Sequence, residues 1–221
     1  MQEELFSLLK TGDLLFCSGT SFFSNLIKLT THSQWSHVGM IYRNLEGGLF
    51  CWEANKIEKG VENIKCGVEV YPLKEKILNY KGDIAVRRIE NSNLDQEKAT
   101  AIIAGFIEEV KCFPYETNVL ELLKSVADGP FGLNVRDLSS IFCSELVAEA
   151  YQRLGLLLPS PAGLSSNEYT PADFARKNFR LLSGHLSPLI ILSPHLRDKW
   201  FNEKETGTEY IVAEQFQPTD P

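Results

Sequence analysis

The sequence predicts a single α+β domain, with its strands early in the chain and its helices late. Short apolar runs separated by turn residues fill the first 90 residues, a long apolar helical stripe follows at 95–112, and another amphipathic segment lies at 144–154. A chain of 221 residues with 43% hydrophobic and 23% charged residues can bury its own core. We expect one domain over residues 1–205 and a polar, loose tail over 206–221.

Several strands are expected before the long helical stripe. They cover residues 14–17, 35–43, 49–55, 66–72 and 83–90. Gly12-Asp13 and Gly82-Asp83 are turn pairs that precede the first and the last of these strands. The segment Asn44-Leu45-Glu46-Gly47-Gly48 lies between the second and third strands, and its two glycines are typical of a β-hairpin turn.

The predicted helices begin and end at known capping signals. They cover residues 21–31, 95–112, 117–127 and 144–154, with a further helix start at 170–174. Thr20 or Ser21 is a candidate N-cap for the first helix, and Gly155 follows the helix at 144–154 as a stop. Thr170 followed by Pro171 is typical of a capped helix start.

Charge and hydropathy argue against several classes of partner. The 22 basic and 29 acidic residues give a net charge of −7 without a basic cluster, so we expect no nucleic-acid partner. No apolar run approaches the roughly 18 residues of a membrane-spanning helix, which leaves only peripheral membrane contact open. The start Met1-Gln2-Glu3-Glu4 does not resemble a secretory signal, so we expect a cytoplasmic protein.

The cysteine pattern indicates reduced thiols. The five cysteines lie at positions 17, 51, 66, 112 and 143. Their odd number argues against a disulfide framework, although one optional disulfide stays open, and the lack of C-x-x-C pairs argues against structural zinc. We expect a cytosol-like compartment and no metal or organic cofactor.

Cys143 is the candidate nucleophile, because it opens the predicted helix at 144–154. A thiol at a helix N-terminus lies at the positive end of the helix dipole and beside unpaired backbone N–H groups, and both favour the thiolate. A cysteine of this kind needs only a histidine to take its proton. The backbone N–H of Cys143, at the helix start, is a candidate donor for an oxyanion hole.

His37 and Glu53 lie on the two strands of the predicted hairpin. If Tyr42 pairs with Gly48, His37 lies directly opposite Glu53, with Cβ atoms roughly 4.5–5.5 Å apart. The carboxylate would then fix the tautomer of the imidazole and leave its other nitrogen for the thiol. We therefore predict Cys143 as nucleophile, His37 as general base and then acid, and Glu53 as the residue that orients His37.

Each of these three residues also has an ordinary structural interpretation. A free cysteine is usually a small buried hydrophobe, and a lone histidine on a strand is more often a core residue whose hydrogen bonds are satisfied. Glu53 could be a solvated strand residue. Its neighbours Trp52 and Ala54 are apolar, however, and a buried carboxylate needs a partner.

An ordered set of short motifs is similar to the signature of one known family. In chain order the motifs are Gly12-Asp13-Leu14-Leu15-Phe16, Thr31-His32-Ser33-Gln34-Trp35-Ser36-His37-Val38-Gly39-Met40-Ile41, Trp52-Glu53-Ala54, Phe113-Pro114-Tyr115-Glu116, Phe142-Cys143-Ser144-Glu145-Leu146 and Thr170-Pro171-Ala172-Asp173. Over about residues 10–180 the chain resembles the circularly permuted papain-like proteins, the YiiX/YaeF-like group of the NlpC-type superfamily. The histidine precedes the cysteine, which is the permuted order.

The resemblance implies a small antiparallel β-barrel or sheet packed against helices, with Cys143, His37 and Glu53 as the catalytic triad. It also implies a hydrolase or acyltransferase that cleaves an amide, ester or thioester bond through a thioester acyl-enzyme. Peptides, acyl-amides and lipid-like molecules are the substrate classes that the family implies, and the resemblance does not choose among them.

Other interpretations of the function stay open. Phe22, Phe23, Trp35 and Trp52 lie near the predicted site and would favour an acylated or lipid-like substrate if they lined a groove, but such aromatics are more often core. A papain-like fold can also bind or sense a peptide or lipid without turnover. A redox-sensing thiol at Cys143 is a third alternative.

Overall fold

The computed structural model describes residues 2–54, 68–110, 138–192 and 210–212. Over these residues the helices are α1 (Gln2–Leu8), α2 (Phe22–Thr31), α3 (Leu73–Asn79), α4 (Gln96–Val110), α5 (Leu138–Arg153) and α6 (Pro171–Ala175). The strands are β1 (Leu14–Ser18), β2 (His37–Arg43), β3 (Leu49–Ala54), β4 (Val68–Pro72), β5 (Asp83–Arg87), β6 (Ile89–Glu90), β7 (His185–Leu186), β8 (Leu189–Ile191) and β9 (Tyr210–Val212). A 3-10 turn lies at Ser166–Glu168.

A seven-stranded sheet organises the described part of the molecule. Its strand order is β4-β3-β2-β1-β5-β8-β9, and β6 and β7 form a separate pair. The neighbours in the large sheet are antiparallel except β8 and β9, which run parallel. Because β4 and β9 end the order of the described strands, the sheet is open and is not a closed barrel. The α+β class predicted from the sequence is confirmed.

The large sheet buries an apolar cluster on each face, because successive side chains of a strand point to opposite faces. Leu14 and Phe16 of β1 belong to the first cluster, with side chains from α4, α5 and α6. Leu15 and Cys17 of the same strand belong to the second cluster, with side chains from α1 and α3. The strands that carry His37 and Glu53 are thus held between two layers of helices.

The predicted strands at 14–17, 35–43 and 49–55 correspond to β1, β2 and β3 with bounds that differ by at most two residues. Ser21 is the observed N-cap of α2, and its hydroxyl accepts a hydrogen bond from the Ser24 amide at 3.1 Å. The short elements α1, α3, β7 and β8 were not among the predicted ones. The predicted helix at 117–127 lies outside the described residues.

The helix that carries Cys143 begins earlier than predicted. Helix α5 runs from Leu138 to Arg153, so the predicted start at residue 144 is wrong. Its predicted stop is confirmed, because Gly155 follows the helix with φ +70°, a left-handed conformation that glycine adopts without strain.

The C-terminal part of the chain adds a cap and an edge strand. The Thr170 hydroxyl accepts a hydrogen bond from the Asp173 amide at 3.3 Å, and Asp173 in turn accepts one from the Thr170 amide at 2.9 Å. The Thr-Pro-Ala-Asp motif is therefore a capping box with proline at the first helical turn.

Three residues of the predicted loose tail, Tyr210–Val212, pair with Leu189–Ile191. The sequence predicts a loose segment at these positions, and these three residues form a strand instead. The domain boundary after residue 205 stays a prediction. No helix in the described part of the chain is long and apolar enough to cross a membrane.

Candidate active site

His37 and Glu53 lie on neighbouring strands, but not directly opposite each other. Strands β2 and β3 pair Met40 with Trp52, and this register places Gly39 beside Glu53. The predicted pairing of Tyr42 with Gly48 is therefore wrong by two residues. A shift of two keeps every side chain on its face, whereas a shift of one would have reversed the faces.

A hydrogen bond joins the two residues along the diagonal. The His37 Nε2 and Glu53 Oε2 atoms are 2.9 Å apart. Diagonal neighbours on one face have backbones roughly 7–8 Å apart, a distance that long side chains can bridge. Gly39 lies between them, and a Cβ there would be 3.2 Å from the Glu53 Cβ. The missing side chain at Gly39 therefore leaves room for the pair.

Lys76 and Cys51, both within the described residues, also form hydrogen bonds to Glu53. Lys76, on α3, donates a hydrogen bond from its Nζ to the other carboxylate oxygen of Glu53, Oε1. The Cys51 thiol donates one to Oε2 at 3.6 Å. The carboxylate itself is 0% exposed. Nothing in the sequence pattern points to Lys76, because it lies 23 positions after Glu53 on a short helix that carries no capping signal.

The charges of this group stabilise one another. Burial opposes ionisation of Glu53, but the positive charges of His37 and Lys76 outweigh it and hold its pKa well below the usual range. Burial also disfavours the charged form of His37, but the negative charges of Cys143 and Glu53 outweigh that effect and raise the pKa of His37 from 6.5 to about 10. The pair is thus imidazolium and carboxylate at neutral pH.

Cys143 completes the group at the same imidazole. It lies on α5, is 0% exposed, and is hydrogen-bonded to His37. Because Nε2 faces Glu53, Nδ1 is the nitrogen left for the thiol. The three residues that the sequence predicted therefore lie together, in the order Cys143, His37, Glu53.

The local backbone of Cys143 differs from the prediction. Cys143 is the sixth residue of α5, so in a regular helix its N–H bonds to the carbonyl four residues earlier. That N–H is not available to an oxyanion, and the helix dipole acts mainly within the first turn. The helix terminus therefore does not account for a reactive thiol at Cys143, and His37 is the ionisable group hydrogen-bonded to it.

Two other cysteines lie close to the site. Cys17 is the β1 residue opposite His37, and Cys51 contacts Glu53. Burial raises the pKa of both thiols well above the usual range, and the charge of Glu53 adds to the effect. Both are buried free thiols that stay protonated at neutral pH. Cys66 and Cys112 lie outside the described residues.

The two tryptophans do not line a groove and are core residues, the more common case for such aromatics. Trp35 and Trp52 are fully buried in the first apolar cluster, and Trp52 packs edge-on against Phe106 with ring centroids 5.1 Å apart. The side chains of Phe22 and Phe23 lie outside the described residues. Among the residues that the structure describes, no group of three or more His, Cys, Asp or Glu could hold a metal ion.

Comparison with known proteins identifies the family. A family model described as permuted papain-like amidase enzyme, YaeF/YiiX, C92 family, matches residues 8–199. The chain belongs to this family. The resemblance seen in the sequence is confirmed, and the fold is a circularly permuted papain-like fold with an open sheet. As a family of amidases, the permuted papain-like amidases have a cysteine hydrolase type of function, which therefore extends to this chain.

The search of solved structures gives a weaker similarity. The chain is similar to the crystal structure of the metalloprotein yiiX from Escherichia coli O157:H7, with 24% identity over 66% of each chain and a TM-score of 0.43. The match thus spans about two thirds of that chain, and it adds nothing to the family assignment. No curated protein matches the permuted papain-like amidase described here.

Proposed function

We propose that this permuted papain-like amidase cleaves an amide, ester or thioester bond by attack of the Cys143 thiolate on the substrate carbonyl. The observation that carries the proposal is the position of His37, which is hydrogen-bonded to Cys143 and lies 2.9 Å from the buried carboxylate of Glu53. A thiolate, an imidazolium and a fixed carboxylate are the groups that such a reaction needs.

The reaction would proceed in two halves. The Cys143 sulfur forms a bond to the substrate carbonyl carbon, and His37 gives its proton to the departing amine, alcohol or thiol as the bond to that group breaks. The product of this half is a thioester on Cys143 and a neutral imidazole. Neutral His37 then takes a proton from water, whose oxygen attacks the thioester, releases the acid and restores the thiolate. Transfer results if another nucleophile replaces water.

Glu53 acts on His37 and does not touch the reacting atoms, so its role is positioning. Its hydrogen bond to Nε2 directs Nδ1 toward Cys143 and fixes the tautomer of neutral His37. It also stabilises the imidazolium from which the proton is given to the leaving group. A neutral glutamine at this position would keep part of the hydrogen bonding and lose the charge.

The proposal also covers the chemical class of the acyl group in the substrate and the cellular compartment of the protein. A peptide, an acyl-amide or a lipid-like acyl group remains the expected substrate class, but the burial of Trp35 and Trp52 removes the main reason to favour a lipid-like one. The three described cysteines form no disulfide, and a reducing, cytoplasmic compartment is the part of this proposal that concerns location. Hydrolysis is the expected outcome wherever water is the acceptor.

The test is the rate of iodoacetamide alkylation between pH 5 and 9, with peptide mapping to resolve each cysteine. Cys143 should react first near neutral pH, because the imidazolium of His37 stabilises its thiolate, whereas Cys17 and Cys51 stay protonated. His37→Ala should slow the reaction at Cys143 at least about tenfold at pH 6.5, since the thiolate then loses its counter-ion. His185→Ala, at an exposed histidine, is the matched control and should change nothing.

Turnover of aryl esters and aryl amides with short and long acyl chains then defines the substrate. Cys143→Ala should abolish turnover, and mass spectrometry should find the acyl group on Cys143 in the wild-type protein. Ordinary, His37-independent alkylation of Cys143 together with no turnover would reject the catalytic proposal. A non-catalytic binding module would then be the better interpretation.

A further inference from the structure

Within the described part of the chain, His37 and Lys76 both contact the carboxylate of Glu53, and Lys76 does not belong to the predicted triad. His37 Nε2 lies 2.9 Å from Oε2, and Lys76 Nζ donates to Oε1. Glu53 is 0% exposed, while the Lys76 and His37 side chains are each only 17% exposed. The three side chains therefore form a charged group with little access to water.

A single counter-ion would be insufficient if His37 changes its charge during the reaction. Each time His37 gave up its proton, the buried carboxylate would lose one of its counter-charges, and a buried charge with less compensation is strongly unfavourable. Glu53 would then compete with the leaving group for the proton of His37. A second cation that keeps its charge throughout the cycle removes this competition.

We propose that Lys76 is a positioning residue of the active site, which keeps Glu53 ionised in both protonation states of His37. This inference rests on the proposed function, because it assigns a role within that reaction. Lys76 acts through Glu53 and does not contact the reacting atoms. Its hydrogen bond to Oε1 also directs the other oxygen of the carboxylate toward His37.

The surroundings of Lys76 fit a fixed cation. Its Nζ lies 5.6 Å from the centroid of the Tyr71 ring and 5.5 Å from that of Tyr80, so the ammonium is within cation–π distance of both rings. Burial disfavours its charge, but the carboxylate of Glu53 outweighs this effect and raises the pKa of Lys76. Lys76 is therefore charged at neutral pH, where the proposed reaction would run.

Other titratable groups also face this cluster from the surrounding strands and helices. They are Cys17 on β1, Cys51 on β3, Glu69 and Tyr71 on β4, Tyr80 at the end of α3 and Cys143 on α5. Tyr71 donates a hydrogen bond to Glu69, and burial raises the pKa of Tyr80 above its usual range. Of these groups, Cys143 is the one whose charge acts on His37 most strongly, so the test removes it.

The test is an NMR titration of the His37 imidazole in the Cys143→Ala protein, with the signal assigned by its loss in a His37→Gln variant. We expect Lys76→Met to raise the midpoint of the titration by at least about one pH unit, because a nearby charge shifts a pKa by about 1–3 units. Lys76→Arg, which keeps the charge, and Lys74→Met, at an exposed lysine of the same helix, should leave the midpoint unchanged. An unchanged or lowered midpoint in Lys76→Met would overturn the inference.

A Glu53→Gln background decides whether Lys76 acts through the carboxylate. Lys76→Met should no longer move the His37 midpoint there, because no buried anion is left unpaired. A shift of the same size in that background would also overturn the inference, since Lys76 would then act on His37 directly. If Lys76→Met alone does not fold, recovery of the fold by the added Glu53→Gln supports the inference, and failure of both proteins to fold refutes it.

This titration uses neither the thiol nor a substrate, so its result is independent of turnover. If the proposed function is wrong, Cys143 of the wild-type protein should be alkylated no faster than an ordinary thiol. If only the inference about Lys76 is wrong, Cys143 should still be alkylated selectively, and the midpoint of the His37 titration should be the same with and without Lys76.

Discussion

At the scale of single residues, the charge of His37 depends on its neighbours Cys143 and Glu53. The charges of Cys143 and Glu53 raise the pKa of His37 from 6.5 to about 10, against the effect of burial. The folded protein therefore holds a proton on His37 that the unfolded chain releases at lower pH. The resulting stabilisation is fully present below about pH 6.5 and is lost as the pH rises to about 10.

This gives a prediction for stability as a function of pH. The free energy of unfolding of the wild-type protein should exceed that of His37→Gln most at pH 6, and the difference should shrink by at least about 1.4 kcal/mol by pH 10, the equivalent of one pKa unit. Urea unfolding at several pH values measures the difference. A constant difference between wild type and His37→Gln would contradict the assigned charge state.

The sequence is sufficient to predict which residues form the candidate triad, but it predicts only part of the contacts that these residues make. Cys143, His37 and Glu53 were found because a thiol, an imidazole and a carboxylate in an apolar context have few other interpretations together. Lys76 could not be found in this way. An ordinary lysine in a charged segment looks like a solvated residue, and only the pairing of strand and helix shows that it contacts Glu53.

At the scale of elements, the close approach of β2 and β3 depends on Gly39. A Cβ at this position would lie 3.0 Å from the Cys51 Sγ and 3.2 Å from the carbonyl oxygen of Trp52. Gly39→Ala should therefore destabilise the protein by about 1–3 kcal/mol through overpacking. It should also slow alkylation of Cys143, because the same crowding disturbs the hydrogen bond between His37 and Glu53.

Gly105→Ala is the matched control, because a Cβ at Gly105 in α4 would have no neighbour within 4 Å. Helix propensity predicts that this change stabilises the protein by about 0.4–1 kcal/mol. Urea unfolding of both variants at pH 7 compares them directly. If Gly39→Ala were as stable as the wild-type protein, the packing between β2 and β3 near the site would have to be less tight than the structure shows.

The elements also show where prediction from sequence ends. The period of two along the strands correctly placed His37 and Glu53 on one face, but a hairpin register depends on the turn geometry, and a shift of two residues leaves the pattern of faces unchanged. The start of α5 was missed for a related reason. The apolar stripe after Cys143 indicates a helix, and nothing in a stripe marks where the helix begins unless a capping residue does.

At the scale of the whole molecule, the sheet and the C-terminal region are joined by the buried guanidinium of Arg87 on β5. It donates hydrogen bonds over distances of 2.6–3.0 Å to four carbonyl oxygens. The acceptors are the carbonyl groups of Phe174, Arg176, Leu186 and Ser187. Burial lowers the pKa of Arg87 to about 10, so the group is still charged at neutral pH. This contact spans about a hundred positions of the chain and lies apart from the proposed chemistry.

We therefore expect Arg87→Met to lower the free energy of unfolding by more than about 3 kcal/mol. An unpaired buried carbonyl costs about 1–3 kcal/mol. The carbonyls of Phe174, Leu186 and Ser187 lose this donor, whereas that of Arg176 keeps the Phe179 amide. Arg180→Met, at an exposed arginine of the same region, should change it by less than about 0.5 kcal/mol. Urea unfolding followed by circular dichroism and by tryptophan fluorescence measures both variants. Because Trp35 and Trp52 lie in the sheet core, coincident transitions would show that the C-terminal region and the sheet unfold together. A separate, early transition in the wild-type protein would contradict the single domain predicted over residues 1–205.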